Sequence, residues 1–251
     1  MKIVTFNIRC SFDGDGINSF THRAGNILLE IDRELPDVIC FQEVTEDHAE
    51  FLCRHLPEYQ TVYRGREKDM RDEGLAISVR RATAELYETG VEWLSKTPAV
   101  PGSRYDGQED MPRILQTATV RLKTGEVFRV YNVHLEHIGD TVRVMQIDQV
   151  LARIKADSEA YDIPGFLLGD FNATRETDTY KHIMAAGLVD LTPGIKVTSH
   201  HYGTRPGPYQ IDYILTSPKT AANPHYFKVW DFVADGIYLS DHYPIELDME
   251  L

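Results

Sequence analysis

The sequence predicts an α/β protein of two mainly antiparallel, mixed sheets packed face to face with helices outside. Three observations predict it. Strand-like runs outnumber helical stripes. Several runs are joined by short turns, as residues 116–122 and 128–135 are across Gly125, which favours antiparallel neighbours over a pure strand–helix–strand chain. Each helical stripe is apolar on one side only, the pattern of helices that lie on a sheet and face water. A single doubly wound sheet is the alternative arrangement of the same elements.

Residues 3–8 alternate apolar and polar, and 38–41 are continuously apolar. Further strand-like runs cover 61–63, 75–79, 84–93, 116–122, 128–135, 166–168, 211–215, 225–233 and 243–249. Leu28, Ile31 and Leu35 make a short helical stripe ended by Pro36. Ala49, Leu52, Cys53 and Leu56 fall at i, i+3, i+4, i+7, after a cap at Thr45 and before Pro57. Ile147, Val150, Leu151 and Ile154 repeat that spacing, and Tyr180, Ile183 and Met184 form a last stripe that Gly187 can end. Segments 95–113 and 198–209 hold several glycines and prolines and read as long surface loops of the kind that carry function. No low-complexity linker and no strong repeat divides the chain, so 1–251 reads as one domain.

A chain of 251 residues can bury a sizeable core without disulfides. Cys10, Cys40 and Cys53 contain no Cys-x-x-Cys pair and read as free thiols in a reducing compartment, Cys40 as packing within its apolar run. The 26 basic and 39 acidic residues leave a net charge of −13, which argues against a broad basic face for duplex nucleic acid. It leaves room for local basic patches, and for acids neutralised by divalent cations. No stretch approaches the ~20 apolar residues of a membrane span. Asn7 and Arg9 cut the first apolar run too early for a signal-peptide core. The expectation is a cytoplasmic enzyme or binding protein.

Polar residues recur where apolar runs begin or end. Asn7, Glu43 and His134 follow such runs, Asp212 sits within 211–215, and Gly169-Asp170-Phe171-Asn172 and Ser240-Asp241-His242 flank others. Polar groups are costly in a sheet core unless paired, so several at strand ends suggest one shared site. Carboxylates with a neutral amide are hard oxygen donors suited to Mg²⁺, Mn²⁺ or Ca²⁺ rather than zinc. Each acid taken singly is as consistent with a helix cap or turn, and each histidine with a satisfied structural role. Asp212 is a candidate partner for His242, which would then serve as a base for water. Asp170 and Asn172 could orient a water and a phosphoryl oxygen, or form an Asx-turn. The pair His200-His201 reads as bland. The sequence lacks dinucleotide, Walker, zinc-protease and nucleophile-elbow motifs.

Six pieces carry a resemblance: Thr5-Phe6-Asn7-Ile8-Arg9, Phe41-Gln42-Glu43-Val44, Asn132-Val133-His134-Leu135, Gly169-Asp170-Phe171-Asn172-Ala173, Ile211-Asp212-Tyr213-Ile214-Leu215 and Ser240-Asp241-His242-Tyr243-Pro244. Together, and in this order, they resemble the endonuclease/exonuclease/phosphatase superfamily, which includes DNase I-like nucleases, inositol polyphosphate 5-phosphatases and deadenylases. The resemblance implies a four-layer α/β/β/α sandwich and a divalent-metal-dependent phosphoesterase that cleaves a P–O bond by in-line attack of water. It makes Glu43 the principal ligand of Mg²⁺ (Mn²⁺ or Ca²⁺ in its place), with Asp241 and Asn7 near the ion. Asp170 would position or deprotonate the water, Asn172 and His134 would hold the phosphate, and His242, oriented by Asp212, would complete the transition-state clamp. Whether Asp170 or the His242–Asp212 pair is the base stays open. Segments 93–98 and 112–114 look like a compact bacterial branch in which Arg113 contacts phosphate. Many such members carry arginine where Gln210 stands here. The acidity favours a small soluble phosphate ester as substrate. DNA or RNA is the alternative, and a catalytically inactive binding module is the alternative of another class. Nothing in the sequence suggests docking on a membrane.

Overall fold

A computed structural model of the chain describes residues 1–108 and 111–251. The chain opens with β1 (Lys2–Asn7), passes a 3₁₀ turn (Asp13–Asn18) and α1 (Phe20–Glu34), and returns as β2 (Val38–Val44). α2 (Glu46–His55) leads to β3 (Tyr59–Gly65), β4 (Gly74–Arg80), β5 (Ala84–Trp93), β6 (Ile114–Leu122) and β7 (Val127–His134). α3 (Asp140–Ala160) then crosses to β8 (Gly165–Asp170). α4 (Asp178–Ala185), β9 (Val189–Asp190), β10 (Asp212–Thr216) and α5 (Pro218–Ala221) follow. The chain closes with β11 (His225–Val229), a small hairpin of β12 (Val233–Ala234) and β13 (Ile237–Tyr238), and β14 (Ile245–Met249).

Two six-stranded sheets result, ordered β11-β14-β1-β2-β4-β3 and β5-β6-β7-β8-β10-β9. The doubly wound alternative is excluded. Each sheet is antiparallel except for one central parallel pair, β1 with β2 and β7 with β8. A parallel pair needs a long crossover, and α1 and α3 supply it. Between β7 and β8 the backbones come close at Gly169, where a Cβ would lie 2.0 Å from the Val133 carbonyl oxygen. Only glycine fits there.

Period-two alternation sorts the strands into layers. Ile3, Val38, Cys40 and Ile77 of the first sheet face Val120, Val130, Phe166, Leu168 and Ile214 of the second in one core. Their neighbours Val4, Phe6, Ile39 and Phe41 pack outward against Ile27 and Ile31 of α1 and Leu52 of α2. Tyr131, Val133, Leu167 and Tyr213 pack outward against Ile147 and Val150 of α3 and Ile183 of α4. The expected helix–sheet–sheet–helix sandwich is present. Among the described residues no helix is long and apolar enough to cross a membrane.

Along the inner face the core changes from apolar to polar towards one edge. Gln42 Nε2 donates across the sheets to Asn132 Oδ1 at 2.8 Å, and Asn132 Nδ2 donates to the carbonyls of Phe41 (3.0 Å) and Ala76 (3.3 Å). These amides bridge the sheets where no hydrocarbon does, and being buried they must be paired.

Several sequence expectations need correction. The run 225–233 is not one strand: β11 stops at Val229, because Trp230, whose backbone N–H donates to the Pro244 carbonyl, falls opposite a proline with no N–H to return. Cys53 is exposed, and His48 takes its place on the buried face of α2. α1 starts earlier than its stripe suggests and ends at Leu35 in the left-handed region (φ 50°), since Pro36 disfavours helix at the residue before it. The short β9, α5 and the β12–β13 hairpin carry too few residues to show a period. Among the described residues of 95–113 there is neither helix nor strand before Arg113; Glu109 and Asp110 lie outside the described residues.

Asn132→Ala should lower the unfolding free energy by about 3 kcal/mol in urea titration, since it strands the Gln42 donor and two carbonyls. Buried His48 and His200 both have pKa values lowered to about 4 by burial. Each binds its proton more weakly folded than unfolded, so its stabilising contribution is present above pH ~6.5 and lost as pH falls towards 4. His48→Gln should flatten the slope of stability against pH in that window by up to ~1.4 kcal/mol per pH unit.

Candidate active site

The topology brings the polar strand ends to one edge. Asn7 and Glu43 lie at the C-terminal ends of the parallel β1 and β2, and His134 and Asp170 close the parallel β7 and β8. Strands antiparallel to these begin at the same edge. Glu73 precedes β4, Arg113 precedes β6, Asp212 opens β10 opposite Asp170, and Asp241-His242 precede β14. Glu43 sits at a bulge between Phe41 and Val44 with φ 57°, a conformation that takes its side chain out of the ladder.

Of these, Glu43, Glu73, Arg113, His134, Asp170, Asp241 and His242 line a cleft of about 390 Å³, and Asn7 and Asp212 support it through hydrogen bonds to Glu43, Asp170 and His242. Asn7 Nδ2 donates to Glu43 Oε1 and to Asp170 Oδ2, both at 3.0 Å, and so joins the two sheets. The Cys10 N–H donates to Glu43 Oε2 at 3.0 Å. Asp170 Oδ2 also lies 3.7 Å from His134 Nε2 and 3.8 Å from His242 Nδ1. His242 Nδ1 meets Asp212 Oδ2 at 2.9 Å. Ligand atoms of Glu43, His134 and Asp170 all lie within 4.8 Å of one another, so this group could hold a metal ion.

Burial works differently on each group. It opposes the Glu43 carboxylate, but the neighbouring His134, then the Cys10 N–H and Asn7 amide that bond it, outweigh this and hold its pKa well below the usual range. Burial, then Asp212, push Asp170 up to about 7. Burial, then Arg113, push His134 well below 6.5, which leaves it neutral. Burial also opposes charge on His242, yet Asp212, Asp170 and Asp241 outweigh it and raise its pKa well above 6.5. Of these four groups at neutral pH, Glu43 is ionised, His134 neutral and His242 charged, and Asp170 lies close to its titration point.

The remaining expected residues are also here. The Asn172 N–H donates to Asp170 Oδ1 at 2.8 Å, the Asx-turn weighed from sequence, while its Nδ2 donates to the Leu135 carbonyl. Asp241 lines the cleft beside Arg9, whose guanidinium lies 3.9 Å from Asp241 and 4.0 Å from Glu43. Arg113 is buried rather than on the surface. Gln210 is buried too, bonding Thr192 and the Asp212 carbonyl, and does not line the cleft.

Sequence reasoning passed over Glu73, Arg66, Cys10 and Arg23. Glu73 follows the same strand-end rule, standing before Gly74 and the apolar run 75–79. Arg23 lies on the helix face of Ile27 and Ile31, fully buried. Its guanidinium donates to the carbonyls of Ile8, Arg9, Asn18 and Leu239, tying the segment after β1 to the one that leads into Asp241. An arginine four residues before Ile27, in line with the apolar Ile27 and Ile31, was the available signal. His200 is buried against Tyr243, their ring centroids 3.8 Å apart, whereas His201, read as bland, lines the cleft.

A family model described as the endonuclease/exonuclease/phosphatase family matches residues 4–242. The chain belongs to that family. Its fold is similar to the crystal structure of an endonuclease/exonuclease/phosphatase from Bacteroides vulgatus, with a TM-score of 0.89 and 26% identity, covering 100% of this chain and 98% of that one. It is also similar to the mannosyl-6-phosphatase of Bacteroides thetaiotaomicron VPI-5482, with a TM-score of 0.86 and 23% identity over the full length of both chains. Among curated proteins, Protein angel of Drosophila melanogaster is 25% identical over 190 residues, which is 69% of this chain and 50% of that protein. The chain spans about half the length of that relative.

Within this endonuclease/exonuclease/phosphatase cleft, Glu43 is an acid held ionised, grouped with His134 and Asp170. Glu43→Gln should weaken Mn²⁺ binding at least ~10-fold in calorimetry, with the circular dichroism spectrum unchanged.

Proposed function

We propose that this protein is a divalent-metal-dependent hydrolase of phosphate esters. The observation that carries the reading is the convergence of Glu43, His134, Asp170 and His242 on one cleft with pKa values driven apart, with Asp212 bonded to His242 behind them. Pairs of titratable groups separated in this way are the mark of acid and base assignments. The carboxylate oxygens of Glu43, with Asn7 and Asp241 close by, suit a hard dication such as Mg²⁺, which would neutralise charge on phosphoryl oxygens.

The protein's own groups then divide the work. Asp170, with a pKa near neutrality and fixed by Asn7 and the Asn172 N–H, receives the proton of the attacking water. His242, kept charged by Asp212, faces the phosphoryl group as a cationic donor rather than as the base. Neutral His134, Asn172 and Arg113 hold non-bridging oxygens. The net charge of −13 and a cleft within the ~300–1,000 Å³ range of small-molecule sites favour a small soluble phosphate ester over nucleic acid.

Asp170→Asn should lower kcat on a phosphate ester by about 10²- to 10⁴-fold with the fold retained. Near-normal turnover would remove Asp170 from the base position. Activity should rise with pH as Asp170 ionises near 7 and fall as pH passes the raised pKa of His242. Asp212 raises both values, so Asp212→Asn should move both limbs of the pH–rate profile to lower pH. A profile of unchanged position, measured on kcat/KM, would contradict these roles.

A further inference from the structure

A recess of about 10 Å³ adjoins the cleft, with Arg66, Glu73, Leu75, Arg113, Ile114 and His134 among its walls. Arg66, Glu73, Arg113 and His134 line both spaces. The recess has room for about one water-sized atom and for no carbon chain. Its polar walls are strongly cationic. Arg113 is 3% and Arg66 7% exposed. Arg66 Nη1 is paired with Glu73, and Arg113 Nη2 lies 3.2 Å from His137 Nδ1. The other donors are not so served. Arg66 Nε and Arg113 Nε and Nη1 are sealed from solvent with no hydrogen-bond partner among the described residues. Buried donors without acceptors are costly, the more so when charged. The two guanidiniums also oppose one another: burial, then Arg66, lower the pKa of Arg113. An oxyanion is what both would accept.

We infer that this recess receives an unesterified oxygen of the substrate's phosphoryl group, and that the substrate is a phosphomonoester. The inference rests on the phosphoesterase reading and deepens it. In an in-line displacement three oxygens lie around phosphorus, between the water and the leaving oxygen. In a monoester all three are bare, and any of them can enter a space that admits a single atom. In a diester one of the three carries a chain, which must be kept out of the recess and accommodated elsewhere. Charge points the same way, since two guanidiniums faced by Glu73 retain a positive excess that favours a dianion over a monoanion. Arg66 is then a specificity residue that the strand-end pattern alone does not reveal.

The test compares 4-nitrophenyl phosphate with methyl 4-nitrophenyl phosphate, which share a leaving group, in the presence of Mg²⁺ or Mn²⁺. The wild type should prefer the monoester in kcat/KM. Arg66→Gln should lower the monoester value by about 10- to 100-fold, the loss expected for charge-assisted hydrogen bonds to an anion, and lower the diester value by clearly less, since the diester carries one charge fewer for the guanidinium to meet. Arg66→Lys, which keeps the charge opposite Glu73, should fold like the wild type and fall between the two. Calorimetry should show inorganic phosphate binding more tightly than dimethyl phosphate, with the difference lost in Arg66→Gln. Equal cleavage of both esters, an equal loss on both in Arg66→Gln, or equal binding of both phosphates would overturn the inference. If the wild type cleaves neither ester yet binds inorganic phosphate through Arg66, the recess stands as an anion site and the hydrolase reading fails.

Discussion

One side-chain amide holds the two halves of the site together. Asn7 Nδ2 gives a hydrogen bond to Glu43 of its own sheet and another to Asp170 of the facing sheet. Two carboxylates at such close quarters repel each other, and a neutral donor between them lowers that cost without neutralising either. The Asn7 carbonyl oxygen meanwhile accepts the Arg9 N–H at 3.0 Å, which fixes the amide and the turn beyond it. The position therefore requires a side chain that donates twice and accepts once at the end of an inward-facing alternation.

That geometry depends on the pairing of the strands. Parallel pairs occur once in each sheet, and their C-terminal ends share an edge with the starts of the antiparallel strands beside them. Eight chain segments distant in sequence are thus brought to one line, and alternation points their terminal side chains between the sheets. The amide bridge of Gln42 and Asn132 marks the boundary below which hydrocarbon fills the gap and above which charge does. Arg23 reinforces the edge from outside the cleft by pinning the backbone on either side of it to α1.

Electrostatics then gives similar residues different work. Glu43 and Asp170 are both acids bonded to Asn7, yet one is pulled well below its usual pKa and the other raised to about 7. Each accepts a backbone N–H, so the difference lies in the charged neighbours: imidazoles flank Glu43, whereas Asp170 faces the Asp212 carboxylate. The two histidines diverge for the same kind of reason. His134 has Arg113 beside it and stays neutral, and His242 has Asp212 and stays charged.

By itself the sequence determined the two-sheet architecture with outer helices, because period-two and one-sided helical patterns are set by which residues must leave water. It also determined the candidate residues, because Asn7, Glu43, His134, Asp170, Asp212, Asp241 and His242 interrupt apolar runs where a buried polar group needs a reason. Tertiary structure decided what no local pattern encodes. It turned Trp230 inward and ended the strand at Val229, made the Arg113 guanidinium a buried group rather than a surface charge, and added Arg66 and Glu73 to the cleft. Those outcomes follow from strand order and from contacts between segments far apart in the chain. The same is true of the separation of pKa values, since a carboxyl or imidazole takes its charge state from neighbours that only the folded chain supplies.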